Sequence, residues 1–496
     1  MEKTTARPLN EDTLGAIGDG VETPAYDRHR LRPHIIHLGV GSFHRAHQAV
    51  YLDDLAGKGG EWGERGVGLL PQDRAMSQAL VPQQGLYTVL ARSAEGDHAR
   101  VIGSLLDYLF APEQSDVVLG ALTDASTRVV TMTITEAGYN VNDATRQFDA
   151  ANESVQADLR NPGKPATAFG YLAEALERRR QAGTPPFTVL SCDNVQGNGH
   201  TTHTALVSFA RLRDDALANW IEQHVAFPNS MVDRITPQTT DAERELVARD
   251  FGIADRWPVV TEPFRQWVVE DVFSDGRPAL DEAGAQMVAD VHPYETMKLR
   301  LLNASHSAMG YLGYVAGYRT ADAVMADPLF LSLVERQMRE EVAPLLPAVP
   351  GIDLDAYQRT LIERFTNPKI GDQLARICLD GSAKVPKFLL PALHAALAAG
   401  GPHRCLTLAL AGWLRYLTGV DDQGETFDLQ DARAAELQPL AVAGRDDPRS
   451  LLDKRDLFGD LADRATFVAE LQTTLSAVYD LGARAALARF LEDSGS

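Results

Sequence analysis

The chain has 496 residues, of which 45% are hydrophobic and 23% charged, and its formal net charge is −21. This length exceeds what one hydrophobic core usually holds, so it predicts two or more domains. The negative charge excludes a general affinity for nucleic-acid phosphates, which requires a basic surface. Three widely separated cysteines (Cys192, Cys378 and Cys405) exclude a disulfide framework and favour a reducing compartment.

The hydropathy pattern contains no membrane or export signal. No run of about 18 consecutive apolar residues occurs. The opening residues lack the apolar core of a signal peptide. We therefore expect a soluble, cytoplasmic protein.

The first half of the chain alternates short apolar strands with helices. Helices are predicted over 113–124 and 168–183, the second ending at Gly183 with two prolines beyond it. Strands are predicted over 35–40, 66–70, 86–92, 128–135 and 187–192. Such alternation is typical of a parallel sheet covered on both faces. From about residue 290 the pattern is almost entirely helical, so we expect an α/β domain over 1–287 and a helical domain over 288–496.

A glycine turn follows the first predicted strand. In "HIIHLGVGSFHRAHQ" the strand turns through Gly39 and Gly41 into a helix, an arrangement that offers backbone N–H groups to a pyrophosphate. The pattern is G-x-G-x-x-His, because His44 stands where a dinucleotide fingerprint has its third glycine. A tight strand–helix turn without any ligand explains the two glycines as well, and both interpretations stay open on this motif alone.

The second strand of this region is followed by "PQDR". A carboxylate here, Asp73, favours NAD by binding the adenosine ribose hydroxyls. The neighbouring Arg74 could instead meet the 2′-phosphate of NADP, and an isolated aspartate is often only a solvated turn residue. The motif favours NAD without deciding between them.

Polar residues interrupt an otherwise apolar helix at "YETMKLRLLNASHS". At about 100° per residue, one side of that helix carries Glu295, Lys298, Asn303 and His306. Oxidation of an alcohol needs a base, which a lysine can provide if burial lowers its pKa, and amide donors for the developing alkoxide. A further amide, Asn194, follows a strand in "VLSCDN". The simpler interpretation is that these side chains satisfy buried backbone groups.

No metal is needed for that chemistry. The closest histidine pairs, His44/His47 and His200/His203, lack a third ligand nearby, so we predict no metal site.

Several runs together resemble the polyol-specific long-chain dehydrogenases, the mannitol dehydrogenase family. They are "HLGVGSFHRAHQA", "TITEAGY", "TVLSCDN", "FPNSMVDRITP", "EPFRQWVVED", "PYETMKLRLLNASHS" and "FTNPKIGDQLARICLDGSAKVPKF". The resemblance implies a Rossmann-like parallel-sheet N-terminal domain, a mainly α-helical C-terminal domain, and metal-independent interconversion of D-mannitol and D-fructose with NAD. One departure is Ala304, where many relatives have glycine.

The resemblance also implies roles for individual residues. Lys298 matches the general base, Asn194 and Asn303 the amides that stabilise the oxyanion, His306 a contact to the reacting oxygen, and Glu295 the proton path to solvent. Arg376, Lys384 and, less closely, Asp233 match substrate-binding positions. The cofactor-binding positions are Ile36, Gly39, Val40, Gly41, Ser42, Phe43, His44, Arg45 and Asp73.

Three alternatives remain at this stage. D-Arabinitol and D-glucitol differ little from mannitol, and a polar pocket need not reject them strongly. Hexuronate (fructuronate or tagaturonate) reductases share the signatures, and Arg376 or Lys384 could bind their substrate carboxylate. A protein of another class, a non-catalytic NAD(H)-binding sensor, could keep the same fold. We expect a small-molecule polyol or ketose substrate, no nucleic-acid or membrane partner, and a monomer or weak homo-oligomer.

Overall fold

The computed structural model describes residues 6–18, 20–142, 145 and 147–493. The chain forms two compact units, Met1–His292 and Pro293–Ser496. Within the described ranges, no helix is both long enough and apolar enough to cross a membrane.

The first unit contains all the strands assigned in the described part of the chain. They are β1 Arg7–Pro8, β2 Val21–Glu22, β3 Arg32–Leu38, β4 Trp62–Gly68, β5 Tyr87–Ser93, β6 Gly96–Ile102, β7 Leu105–Phe110, β8 Val129–Met132, β9 Thr188–Ser191, β10 Ser230–Asp233, β11 Ile253–Ala254, β12 Val259–Thr261, β13 Gln266–Glu270 and β14 Gln286–Val288.

The central sheet is parallel and has the order β7-β4-β3-β8-β9. Numbered along the chain within this sheet, the order is 3-2-1-4-5, the arrangement of a Rossmann-like fold. The strand order reverses between β3 and β8, and open α/β sheets bind ligands beyond the carboxyl ends of the strands at such a point. The predicted Rossmann-like sheet is confirmed.

The central strands consist mainly of apolar residues because they are buried. All four residues of β8 and all four of β9 are buried, as expected for strands covered on both faces. The predicted strand at 86–92 exists, but it belongs to a different, four-stranded sheet of order β12-β5-β6-β2. There β5 pairs antiparallel with β6. The apolar, β-rich run predicted the strand but could not identify its partner.

Helices cover the sheets of the first unit. They are α1 Glu11–Leu14, α2 Ser42–Ala46, α3 Gln48–Gly57, α4 Arg74–Leu80, α5 Ala111–Thr123, α6 Glu153–Arg160, α7 Ala168–Ala182, α8 Asn198–Arg213, α9 Asp215–His224 and α10 Asp241–Phe251. The two helices predicted from the sequence correspond to α5 and α7. α7 begins where the Thr167 side chain accepts the Gly170 N–H, and it ends at Gly183 with φ +68°.

The second unit is helical. Its helices, with α11 starting one residue before the unit, are α11 His292–Lys298, α12 Ala304–Val315, α13 Ala321–Met325, α14 Pro328–Arg336, α15 Leu354–Phe365, α16 Leu374–Cys378, α17 Gly381–Phe388, α18 Leu390–Ala399, α19 Arg404–Tyr416, α20 Ala434–Ala443, α21 Arg449–Leu452, α22 Arg455–Phe458, α23 Ala465–Leu481 and α24 Ala483–Asp493. Ten of the twelve residues of α12 are buried, so this helix lies in the core of the unit. The prediction of a mainly helical C-terminal half is confirmed.

Two π-helical turns interrupt the helices of the second unit, at Leu299–Asn303 and Gln337–Val342. The first joins α11 to α12, and the second continues α14. In the second turn, the buried Glu341 carboxylate accepts the N–H groups of Cys405 and Leu406 at 2.7 and 2.8 Å and so caps α19.

Candidate functional site

Gly39, the first glycine of the turn, is required by the fold. Its φ is +92°, a left-handed value that favours glycine. A Cβ at this position would lie 2.3 Å from the carbonyl oxygen of Thr133, in the segment that follows β8. The Thr133 hydroxyl also donates to the Gly39 carbonyl at 2.7 Å. Close packing of β3 against the end of β8 therefore accounts for this glycine.

Gly41 differs, because no protein packing requires it. Its backbone is extended (φ −107°, ψ −171°), and a Cβ there would meet only the Gly39 carbonyl oxygen, at 3.9 Å. The position faces open space at the carboxyl end of the sheet, beside the reversal of strand order. A residue without a side chain at this point lets phosphate oxygens approach the backbone, so the turn fits a dinucleotide pyrophosphate.

His44, in the place of the third glycine, is fully buried. Its ring stacks on His37 with 3.5 Å between centroids, and its Nε2 lies 3.0 Å from the Glu64 carboxylate. Burial lowers the pKa of His44 to about 3 and raises the pKa of Glu64 to about 7. Both pKa shifts agree with a neutral imidazole that accepts a hydrogen bond from a protonated carboxyl group. This contact joins α2 to β3 and β4.

The remaining cofactor-binding predictions divide by exposure. Ile36 and Val40 are buried among apolar residues. Arg45 is also fully buried; its guanidinium donates to the Trp257 carbonyl at 2.5 Å and lies 5.2 Å from the centroid of the Tyr87 ring. Ser42 and Phe43 are partly exposed. Any contribution of the buried residues to a ligand is through the backbone or through the shape of the turn.

Asp73 lies beyond the carboxyl end of β4 and is partly exposed. One carboxylate oxygen accepts the Leu70 N–H at 2.8 Å, which fixes the direction of the side chain. Among the hydrogen bonds of the described residues, its other oxygen has none. The carboxylate is thus oriented and keeps an acceptor for a hydroxyl group.

Asn194 is exposed in the loop after β9, and its neighbours hold that loop in place. The Asp193 carboxylate accepts the N–H groups of Ile134 and Thr135, both at 3.0 Å, and the Tyr139 hydroxyl at 2.7 Å. These bonds tie the segment after β8 to the one after β9. Asp193 therefore fixes the loop that carries Asn194, which the sequence interpretation missed although Asp193 stands next to Asn194 in "SCDN".

Asp233, a predicted substrate-binding residue, is the last residue of β10 and is buried. β10 pairs antiparallel with β13 in a three-stranded sheet, so Asp233 is not on the central sheet. The amide of the buried Asn198 donates to the Ser230 carbonyl at 2.8 Å and to the Asp193 carbonyl at 3.1 Å. Asn198 thereby links the start of β10 to the loop that carries Asn194.

The polar helix of the second unit is not a continuous α-helix. Glu295 and the buried Lys298 lie on α11, and Asn303 ends the π turn. The Ala304 N–H donates to the Leu299 carbonyl, five residues back. In a straight α-helix, Lys298 and Asn303 would be about 140° apart. A turn with one extra residue brings positions five apart towards the same side, so the π turn aligns this pair.

His306 follows on α12, with its ring centroid 4.8 Å from that of Phe365. Because of the π turn, the assumption of 100° per residue for this helix was wrong between residues 299 and 303. No sequence signal for the π turn was recognised. Its position between two predicted catalytic residues agrees with the frequent occurrence of π turns at functional sites.

Arg376 and Lys384 are neighbours. The Arg376 guanidinium makes a two-pronged ion pair with the buried Asp372 carboxylate, at 2.8 and 2.5 Å. The Lys384 ammonium donates to the carbonyls of Arg376 and Ile377 at 3.3 and 3.2 Å. The sequence interpretation missed Asp372, which lies four residues before Arg376 and neutralises it.

The structure thus brings together two groups of predicted residues. In the first unit, the glycine turn and the loop that carries Asn194 lie at the carboxyl edge of the central sheet. In the second unit, one interrupted helix carries Glu295, Lys298, Asn303 and His306. In the described part of the chain, no three or more His, Cys, Asp or Glu side chains are grouped so that they could hold a metal ion.

The Rossmann-like unit with its open glycine turn is typical of a dinucleotide-binding oxidoreductase. Residues 33–282 match the model of the mannitol dehydrogenase Rossmann domain, and residues 290–479 match that of the mannitol dehydrogenase C-terminal domain. The chain belongs to the mannitol dehydrogenase family.

Relatives match over nearly the whole chain. A mannitol 2-dehydrogenase of Aspergillus fumigatus is 48% identical over 498 residues, covering 99% of each chain, and one of Aspergillus terreus is 49% identical over 95% of this chain and 96% of its own. A solved structure of Pseudomonas fluorescens mannitol 2-dehydrogenase, a ternary complex with NAD and D-mannitol, is 42% identical with a TM-score of 0.88, covering 98% of this chain and all of that one. A substrate-free D-sorbitol dehydrogenase is 38% identical with a TM-score of 0.90, covering 97% and 100%.

Proposed function

We propose that this protein is an NAD-dependent polyol dehydrogenase that oxidises D-mannitol to D-fructose and catalyses the reverse reaction. The observation that carries the proposal is the full-length similarity to a structure that holds NAD and D-mannitol, at 42% identity. The open backbone at Gly41 and the oriented Asp73 carboxylate support the NAD part of the proposal. The D-sorbitol dehydrogenase relative makes D-glucitol, the same compound as D-sorbitol, a second substrate to test beside D-arabinitol.

The two parts of the chain have separate tasks in this proposal. Residues 1–287 form the dinucleotide-binding domain and residues 288–496 the substrate and catalytic domain; this boundary stays a prediction. NAD, when bound, accepts a hydride from the alcohol carbon. Gly39, Gly41 and Ser42 shape the turn that holds its pyrophosphate, and Asp73 binds the adenosine ribose.

The catalytic steps are assigned to residues on the interrupted helix and on the Asn194 loop. The Lys298 Nζ, in its neutral form, takes the proton of the reacting hydroxyl. The amides of Asn194 and Asn303, together with His306, donate hydrogen bonds to the oxygen as its negative charge develops. Glu295 passes the proton from Lys298 towards solvent. The burial of Lys298 and the π turn before Asn303 support these assignments.

Substrate binding is assigned to Arg376, Lys384 and Asp233. The ion pair between Arg376 and Asp372 favours a neutral polyol over a hexuronate. A substrate carboxylate would have to displace the Asp372 carboxylate from the guanidinium and would be repelled by it. Hexuronate reduction is therefore the weaker candidate. We further propose that the protein acts in the cytoplasm as a monomer or weak homo-oligomer.

The test is a substrate panel followed by absorbance of the reduced nicotinamide, with a chelator present throughout. D-Mannitol, D-arabinitol and D-glucitol are offered with NAD and with NADP, and D-fructose and D-fructuronate with NADH. We expect mannitol oxidation with NAD, matched by fructose reduction, and no effect of the chelator. Reduction of fructuronate alone would refute the proposal.

The Asp372→Asn variant extends the panel. It removes the negative charge beside Arg376 but keeps the size of the side chain. We expect fructuronate reduction to rise several-fold relative to fructose reduction, because the guanidinium becomes available to a carboxylate. Asp355→Asn, an exposed carboxylate on α15 of the same unit, is the control and should leave the ratio unchanged.

A further inference from the structure

A second arginine with a carboxylate partner lies beside the predicted ribose-binding residue. Arg74 directly follows Asp73 at the carboxyl end of β4 and begins α4. In Rossmann-like folds a carboxylate at this strand end binds the ribose hydroxyls of NAD, whereas a nearby arginine accommodates the 2′-phosphate of NADP. The sequence contains both side chains, so it cannot decide which one acts on the cofactor.

Arg74 contacts the neighbouring strand β7 and the helix α5 that follows it. Its Nη2 lies 2.5 Å from a carboxylate oxygen of Glu113, in the first turn of α5. Its guanidinium also lies 4.9 Å from the centroid of the Phe110 ring, at the end of β7. The start of α5 is itself held, because the Gln114 side chain accepts the Phe110 N–H at 2.8 Å. Arg74 is thus directed towards β7 and α5.

A 2′-phosphate would meet two obstacles here. It would have to take the guanidinium from Glu113, and it would bring its own charge close to the carboxylates of Glu113 and Asp73. Both side chains of the pair are about half exposed (54% and 58%), so solvent screens the interaction and its effect is modest. An effect of a few-fold on cofactor choice is what such a pair can produce.

We propose that Glu113 is a specificity-determining residue, which favours NAD by holding Arg74 in an ion pair and away from a 2′-phosphate. This inference rests on the proposed use of NAD at the carboxyl edge of the central sheet. Glu113, at the connection between β7 and α5, would be a second residue beside Asp73 that discriminates against NADP.

The test measures binding of NADH and NADPH by nicotinamide fluorescence, so it does not depend on turnover. In Glu113→Gln we expect the Kd for NADPH to fall by about three- to ten-fold while the Kd for NADH changes by less than about two-fold. In the Arg74→Ala background, Glu113→Gln should have no such effect, because the guanidinium that it releases is missing. The cofactor preference of mannitol oxidation should shift in parallel.

The control is Asp107→Asn. Asp107, on β7, pairs with Arg65 on β4 at 2.8 Å, so this variant breaks another arginine–carboxylate pair, between the two strands that precede α4 and α5. It should leave the ratio of the two dissociation constants unchanged. An unchanged ratio in Glu113→Gln, or a shift of the same size in the Arg74→Ala background, would overturn the inference.

The outcomes separate this inference from the proposed function. If NADH binds and Glu113→Gln shifts the ratio but no polyol is oxidised, the proposed function fails and the inference holds. If mannitol is oxidised with NAD and the ratio does not move, the inference alone fails. A parent protein that binds neither nucleotide refutes both.

Discussion

The glycine turn of the first unit and the interrupted helix of the second place their predicted functional residues in different ways. In the turn, neighbouring residues have different tasks: Gly39 is required by packing against Thr133, His44 is buried against Glu64, and Gly41 faces open space. In the helix, a π turn changes the spacing so that Lys298 and Asn303 approach the same side. In the turn, a residue that matches the motif can be required by packing as well as by ligand binding. In the helix, the spacing of the motif brings its residues to one side only because of the π turn in the backbone.

The most severe test of the helix assignment is Lys298→Ala. We expect kcat for mannitol oxidation to fall by about 10³-fold or more, because the base that takes the hydroxyl proton is lost. NADH binding should change by less than about two-fold, since the nucleotide is assigned to the first unit. Steady-state kinetics and a fluorescence titration measure the two quantities.

Lys387→Ala is the matched control for Lys298→Ala. Lys387 is an exposed lysine on α17 of the same unit, so its removal changes the net charge equally. Its kcat should stay within about two-fold of the parent. Normal turnover in Lys298→Ala would show that the lysine is not the base. A parent that binds NADH but oxidises no polyol of the panel would instead support the non-catalytic sensor.

The two glycines of the turn provide an internal comparison. Gly39→Ala should destabilise the protein by several kcal/mol, because it combines a left-handed φ with a Cβ 2.3 Å from a backbone oxygen. Gly41→Ala should leave the thermal unfolding midpoint nearly unchanged, since its backbone is extended and its surroundings are open. We expect it instead to raise the Kd for NADH about ten-fold, because the added methyl occupies the space assigned to the pyrophosphate.

Thermal unfolding and NADH titration of both variants distinguish the two tasks. The comparison would be wrong if Gly41→Ala unfolded as early as Gly39→Ala, or if it bound NADH as tightly as the parent. The first result would show that protein packing requires Gly41, and the second that the open space at Gly41 has no connection with a ligand.

Much of the fold could be predicted from the sequence because local patterns determine it. The buried strands β8 and β9 and the helix α7, with its glycine end, follow from hydropathy and capping. The pairing of β5 with β6 could not be predicted with the same methods, because it depends on contacts with the antiparallel partner and not on the strand's own composition.

The candidate site likewise has a part that could be predicted from the sequence and a part that could not. Residue types at fixed spacing predict Lys298, Asn303 and the glycine turn as parts of the site, and these assignments stay predictions. The carboxylate partners of two site arginines, the buried Asp372 at Arg376 and the half-exposed Glu113 at Arg74, carry no motif, because a single carboxylate is common in any sequence. The π turn could not be predicted either, since it is a property of backbone hydrogen bonding and not of residue type.

The smallest expected effect concerns the buried histidine cluster under the glycine turn. Burial lowers the pKa of His37 well below its usual value, and it lowers the pKa of His44 and of His47 to about 3. Between about pH 5 and 6, His44 and His47 each bind a proton in the unfolded state but not in the native state. Each therefore makes the free energy of unfolding rise with pH, by about 1.4 kcal/mol per pH unit.

Glu64 acts in the opposite direction, because burial raises its pKa to about 7. In the same pH interval it holds a proton in the native state and has lost it in the unfolded state, which cancels the contribution of one histidine. Replacing Glu64 with Gln keeps a donor towards His44 but removes this proton. The free energy of unfolding should then rise with pH more steeply than in the parent, by about 1.4 kcal/mol per pH unit.

Denaturant unfolding followed by tryptophan fluorescence at several pH values between about 5 and 6 gives the slope for each protein. Glu61→Gln, an exposed carboxylate three residues earlier, is the control and should keep the slope of the parent. An unchanged slope in Glu64→Gln would mean that native Glu64 is ionised at these pH values and accepts the hydrogen bond from His44. A buried charge would then lie beside the third position of the dinucleotide fingerprint, and the neutral contact proposed for the base of the turn would be wrong.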